Sequence, residues 1–470
     1  MSRERSCLAV IMCMTAASVV THAQTPNQTA PPHALTLDGA IEYASEHYPT
    51  LRAALEQVNA SAAGVDVARS AYLPRLDSLW QSNRATANNI FGQLLPQSVI
   101  PSMSGPVLPS ASTQSVWGSA TGALFSWEPF DFGLRHASVA SAEAALTQAR
   151  AGETLTRLDV QNAVASAYLS VVGAQQAVIA AQADLNRRDV LLRSVQTLVT
   201  NQLRPGADQS RAAAERAAAQ TRLIQAQQSL IVSQVLLARV LGDGAATGVT
   251  IAADNLLTRL PPMDIVAGSA AVHPFAQLRQ ASIEQSLAQE DVLARTDRPR
   301  VFLQSSVFAR GSGASATGTF DGGPDGLGLE RANWAAGVQV LFPNLFDFST
   351  LHARRAAAAA SSRANSALYD EALLTITSQQ QTAAALLQTT RAVAANTPVQ
   401  LAAAQQSETQ ARARYDAGLA NILEVADAQG LLAQAETQDQ LARVDVWRAL
   451  LAAAVAQGDL APFLTILRQP

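Results

Sequence analysis

The 470-residue chain contains no lysine: its 33 basic residues are all Arg, against 37 acidic ones, for a net charge of −4. That balance offers no basic field to a phosphate backbone, so no nucleic-acid partner is expected. Cysteine is almost as scarce, with only Cys7 and Cys13. Both lie in an N-terminal stretch that reads as an export signal: Arg3 and Arg5, an apolar run from Cys7 to Val20, then the small-residue site Thr21-His22-Ala23. Cleavage is expected after Ala23, which leaves no cysteine for a disulfide, a thiolate metal site or a nucleophile. No lipidation box precedes either cysteine, so an acylated N-terminus is not expected. Removal of residues 1–23 takes the net charge to −5, and 24–34 follow as a Pro-rich linker. No remaining stretch supplies 18 consecutive apolar residues, so no membrane-spanning helix is expected and strands would have to do any spanning.

Catalytic signatures are missing too. The histidines after residue 23 (His33, His47, His136, His273, His352) form no HExxH or other ligand spacing, and no GxSxG, P-loop or GxGxxG stands between a strand and a helix. No enzyme, cofactor or metal site is expected. Asp131, set between aromatics, reads as a turn residue.

What the sequence does contain is a repeat. Tyr48-Pro49 and His273-Pro274, Asp66-Val67 and Asp291-Val292, and Pro74-Arg75 and Pro299-Arg300 all stand 225 residues apart. Phe130-Asp131-Phe132 and Phe346-Asp347-Phe348, His136 and His352, Leu203 and Leu419, and Gly242-Asp243 and Gly458-Asp459 stand 216 apart. Two structural repeats, 35–250 and 265–460, are therefore expected, with 461–470 as a tail.

Each repeat carries the same texture. Residues 136–200 hold no Pro and one aromatic, Tyr168, with Val160, Val164, Ala167 and Val171 at three-and-four spacing. They predict one helix on the order of 100 Å long, which needs helical partners. A break at Gln202–Gly206 precedes a second helix over 208–241, and the second half repeats the pattern as 350–415 and 421–457. Another helix is predicted over 36–70. Pro398 predicts a kink or a restart, with Thr397 as cap.

Aromatics gather elsewhere: segments 75–132 and 300–348 hold 14 of the 23. Trp334, Ala336, Val338, Val340 and Phe342 alternate with Ala335, Gly337, Gln339 and Leu341, the period of a two-faced strand. Four strands are predicted near 75–90, 115–128, 300–311 and 330–343, joined by Pro-rich and Gly-rich connections expected to be exposed. Trp80, Trp117, Trp127, Trp334 and Phe342 form a candidate membrane aromatic belt. Two-faced aromatic strands in an exported chain suggest a membrane β-barrel, and since four strands cannot close one alone, several protomers would share it.

On this plan the chain resembles the TolC-like outer-membrane efflux protein family over residues 35–460. The residues that carry the resemblance are Tyr72-Leu73-Pro74-Arg75, Arg414-Tyr415-Asp416-Ala417-Gly418-Leu419 and Leu423-Glu424-Val425-Ala426-Asp427-Ala428-Gln429. The resemblance implies a mainly α fold with a membrane β-barrel, in which a homotrimer shares twelve strands in outer-membrane lipid and its helices form a periplasmic tube. It also implies an exit duct of a tripartite efflux pump for drugs or other toxic compounds, working with a periplasmic adaptor protein and an inner-membrane transporter, and no cofactor. The outer-membrane component of type I protein secretion is the alternative within the family; an exported, non-conducting trimeric coiled-coil stalk is the alternative outside it.

The family's entrance gate lies at the helical turns, which places adaptor docking at Gln202, Leu203, Gly418 and Leu419. Tyr415 matches its gate tyrosine, Asp208 the acidic partner of that tyrosine, and Glu424 and Asp427 its pore-lining acids. Two departures stand out. Ala420 occupies a place that is often basic, with Arg204 the nearest candidate to supply the charge, and Gln202 replaces the first-half turn glycine.

Overall fold

The computed structural model describes residues 35–86, 94–101, 113–242, 251–252, 256–257, 260–261, 268–312, 324–343 and 348–468. The export signal, the linker 24–34, the repeat partners Asp243, Phe346 and Asp347, and most of the Gly-rich connection lie outside these residues.

In the first half, α1 (Leu37–His47) and α2 (Pro49–Ser70) lead into strands β1 (Arg75–Thr86) and β2 (Ser115–Phe130), then α3 (Leu134–Thr200) and α4 (Gly206–Leu241). The second half repeats this with α5 (Pro274–Arg295), β3 (Arg300–Gly311), β4 (Arg331–Leu341), α6 (Phe348–Asp416) and α7 (Ile422–Gln457), and adds α8 (Ala461–Arg468). Helices α3 and α6 have 67 and 69 residues, so each spans on the order of 100 Å. Each packs on two shorter helices in line, α2 and α4 on α3, α5 and α7 on α6. A stretch of α3 is apolar enough by composition to cross a bilayer, but it packs inside the helical body.

Three expectations are corrected. The predicted helix 36–70 breaks at Tyr48, which is extended (ψ 124°) because the ring of Pro49 disfavours helical backbone in the residue before it; Pro49 then opens α2. Of the kink or restart expected at Pro398, the restart does not occur, since α6 runs through that residue. Thr397 is no cap: its hydroxyl donates to Asp439 Oδ1 at 3.0 Å in a buried contact across the hairpin. The expected tail is instead helix α8, which buries Phe463 completely against the edge of Trp447 and pairs Arg468 with Asp38 at 2.8 Å.

The main core lies at mid-height, where α1, α3, α4, α6, α7 and α8 meet. Tyr168 is fully buried there and donates to the Ala252 carbonyl at 2.7 Å; Trp447 Nε1 donates to Leu256 O, also at 2.7 Å. These bonds satisfy polar atoms that would otherwise be stranded in an apolar interior.

The four strands form one antiparallel sheet in chain order, with a bulge between Trp127 and Phe130. Register separates two faces. Leu76, Trp80, Trp117, Phe125, Trp127, Leu303, Val307, Trp334, Val338 and Val340 share one face, while Asp77, Gln81, Asn83, Gln304, Ser306, Arg310, Asn333 and Gln339 share the other. The first face holds every tryptophan of the sheet, along with Arg84, and the second holds all its amide side chains, along with Leu124, Phe302 and Leu341; a predominantly apolar face backed by a more polar one is the alternation of a lipid-embedded barrel wall. Along β4 all eleven residues are exposed, so the wall has open edges. The Tyr72–Arg75 motif anchors it to the helices. The Tyr72 carbonyl accepts from Trp127 Nε1 at 3.1 Å, and the Arg135 guanidinium lies 4.7 Å over the Tyr72 ring. Asp131 holds the start of α3 by accepting from the Gly133 and Arg135 amides, a turn role as expected.

Candidate functional site

The site at the far end of the helical hairpins is built from two equivalent turns. Two residues past the ends of α3 and α6, Gln202 and Gly418 each have left-handed backbone (φ 57° and 75°). In both, the next residue closes the turn: Leu203 N bonds Leu198 O at 2.9 Å and Leu419 N bonds Arg414 O at 2.8 Å. This is the Schellman closure that favours glycine. At Gln202 a side chain occupies that conformation, at a cost of about 1 kcal/mol. Leu203 and Leu419 remain 68 % and 72 % exposed, an apolar knob on each tip.

Of the two returning helices, α7 starts with a side-chain cap and α4 follows Pro205 without one. Asn421 Oδ1 accepts from Glu424 N at 3.0 Å, and Glu424 and Asp208 occupy the first turns of α7 and α4, where a helix dipole favours an acid. Asp208 and Glu424 are repeat-equivalent, 216 residues apart, as are Arg204 and Ala420. The cation missing at Ala420 therefore stands at the same place on the other hairpin.

Arg204 joins the two hairpins. Its guanidinium lies 4.4 Å over the Tyr415 ring, and its Nη2 donates to the Tyr415 carbonyl at 2.6 Å. Tyr415 is 1 % exposed, packed among Leu191, Val195, Ala212, Ile422 and Val425. Its hydroxyl stands 3.5 Å from Asp208 Oδ2, at the weak limit of a hydrogen bond. Burial and the Asp208 carboxylate push that hydroxyl above its ordinary pKa.

Glu424 and Asp427 are both exposed and share one helix face. The cation near Glu424 is Arg414, at 3.8 Å with both side chains about half exposed, rather than Arg204. Arg414 has no role expected from the sequence, although its place ten residues before Glu424, across a tight turn, is legible there. The ion pairs behind the tip are not expected from the sequence either. Arg187 grips Glu436 bidentately at 2.9 and 2.7 Å, linking α3 to α7. Asp184 and Arg188, 2 % and 3 % exposed, pair with each other and with Arg222 and Glu215 on α4.

The candidate belt residues lie at the other end. Trp80 and Trp334 are 73 % and 78 % exposed on the apolar face with Trp127, and Phe342 follows β4, also exposed. Trp117 shares this face under the Arg84 guanidinium at 5.5 Å. Phe130 and Phe132, also exposed, extend the belt at the helix junction.

Long helical hairpins continuing into a two-faced sheet are the architecture of an outer-membrane channel protomer. Residues 40–243 and 275–458 match the outer membrane efflux protein family, and the chain belongs to that family. It is accordingly an outer-membrane protein with its helical part in the periplasm, in a family of channels rather than enzymes. Protein CyaE of Bordetella pertussis is 27 % identical over 290 residues, a match spanning 59 % of this chain and 55 % of CyaE. The fold is shared with the Vibrio cholerae outer membrane protein VceC (TM-score 0.70, 20 % identity, 90 % of this chain and 96 % of that one). It is shared also with the Campylobacter jejuni outer membrane channel CmeC (TM-score 0.74, 15 % identity, 90 % and 85 %).

Proposed function

We propose that this chain is the exit duct of a tripartite efflux pump, a homotrimer whose twelve strands close one barrel and whose helices carry drugs or other toxic compounds across the periplasm. The observation that carries this reading is the open sheet: an apolar aromatic face, a polar face and two unpaired edges, β1 and β4. A membrane cannot tolerate those edges, and pairing β4 of one copy with β1 of the next removes them. Leu203 and Leu419, apolar knobs on the two tips, are the docking points for a periplasmic adaptor that connects to an inner-membrane transporter. Arg204, Tyr415 and Asp208 hold the entrance shut, and Glu424 and Asp427 line it with carboxylates that favour cations.

Two measurements test this. The detergent-solubilised protein should have the mass of a trimer and conduct in a lipid bilayer, and a trimer that stays water-soluble without detergent and never conducts would leave the stalk reading in place of the duct. Deleting the gene should raise drug accumulation and sensitivity, with recovery on complementation. Loss of a secreted polypeptide with unchanged drug sensitivity would assign the duct to protein secretion instead.

A further inference from the structure

The connection between β1 and β2 was expected to be exposed, but its described residues, 94–101, fold back onto the sheet. Gln97 ties this segment. Its Oε1 accepts from the Val99 and Ile100 amides at 2.6 and 2.7 Å, and its Nε2 donates to the Ile100 carbonyl at 2.9 Å. One side chain thereby satisfies three backbone groups and fixes a compact turn. The turn delivers Ile100, 2 % exposed, against Ala120 and Phe308, with Leu79 and Leu94 beside them.

The face receiving Ile100 decides what this means. Leu79, Ala120 and Phe308 belong to the polar face, interleaved with Gln81, Ser306 and Arg310, and not to the Trp-bearing face. Gly122 lies beneath this island: a Cβ there would stand 2.9 Å from Phe308 Cβ and 3.1 Å from the Val307 carbonyl within the sheet, and 3.4 Å from Ile100 Cγ1. Phe308 is near the outer end of β3, far from the helix junction at Arg300. An apolar island and a glutamine-locked turn thus coincide on the polar face of the wall, toward its outer mouth.

We propose that segment 94–101 is a second constriction of the duct, an apolar stop inside the barrel lumen that limits the size of what passes the outer mouth. The inference rests on the trimeric duct reading above. Twelve strands about 4.8 Å apart and tilted about 40° enclose a barrel roughly 24 Å across between backbones. Three such segments, one from each protomer, narrow that bore to the scale of a small molecule. The periplasmic turns and this segment would then be two barriers in series, and large cargo would have to displace the segment to leave.

The absence of cysteine after residue 23 permits a clean test in intact cells. A single reporter, Gln304→Cys, lies on the polar face on the periplasmic side of Phe308. Cells are treated from outside with a small maleimide or with a polymer-coupled maleimide too large for general porins. With the segment intact, the small reagent should label and the large one should not. Adding Gln97→Ala and Ile100→Ser should raise labelling by the large reagent at least tenfold. Ile100→Ser alone, which removes the apolar anchor and leaves the Gln97 turn in place, should do the same and covers the case where the double variant fails to insert. Equal labelling by the large reagent with and without these changes overturns the constriction. Failure of even the small reagent to reach Gln304→Cys would instead refute the lumenal assignment and the barrel reading beneath it.

Discussion

Replacing Arg204 with Ala should open the periplasmic end far more than replacing Tyr415 with Phe. Arg204 makes two contacts with Tyr415: a cation over the ring at 4.4 Å and a charged hydrogen bond to its carbonyl at 2.6 Å. The first is worth about 0.5–1 kcal/mol at a partly exposed site and the second about 1.5–3 kcal/mol. Since the guanidinium regains water when the contact breaks, the net loss is about 2 kcal/mol per protomer, roughly a thirtyfold shift toward open. The Tyr415 hydroxyl is 3.5 Å from Asp208, so its removal costs about 0.5 kcal/mol or less, roughly a twofold shift. Closed-state lifetimes of single channels should therefore fall much more in Arg204→Ala than in Tyr415→Phe. An unchanged lifetime in Arg204→Ala, or an equal effect of the two changes, would refute the assignment of the latch to Arg204.

Three further outcomes are expected. In a trimer Glu424 and Asp427 place six carboxylates at the entrance against three Arg414, and the exposed Arg414–Glu424 contact at 3.8 Å is worth at most about 1 kcal/mol. Glu424→Gln with Asp427→Asn should lower the cation-to-anion permeability ratio, and reversal potentials in a salt gradient would show no change if these residues do not line the pore. Gln202→Gly should raise the unfolding free energy by roughly 0.5–1 kcal/mol, because it relieves left-handed backbone at φ 57°; a lower melting temperature would contradict that reading. Burial holds the His273 imidazole below its ordinary 6.5, with Nδ1 accepting from Phe275 N and Nε2 donating to Val455 O. The unfolded chain takes up that proton first, so this part of the stability is present above pH 6.5 and lost as pH falls below it. The melting temperature of His273→Gln should depend less on pH between 7 and 5.5, and an unaltered pH profile would remove His273 as its source.

Much of the fold was legible because its signals are local and periodic. The Trp334–Phe342 alternation marked β4, and the proline-free run 136–200 marked α3. What failed to show depended on contacts distant in sequence. Thr397 reads as a cap beside Pro398, but its partner is Asp439, 42 residues away across a hairpin. The tail buries Phe463 because Trp447 offers it a surface, which the eight residues of α8 alone cannot reveal. Prolines between β1 and β2 read as an exposed loop, whereas Ile100 found an apolar island on the face that carries Gln81, Ser306 and Arg310. At the tips, the repeat makes Arg204 the counterpart of Ala420, yet which carboxylate or ring it meets is set by how two hairpins lean together.

The central claim is conduction gated at the helical turns, and single-channel recording of the purified protein in a planar lipid bilayer tests it most directly. The account predicts small, cation-selective steps that grow in Arg204→Ala and lose cation preference when Glu424 and Asp427 are neutralised. A protein that inserts but conducts with steps indifferent to all three residues, or that never conducts, would contradict it.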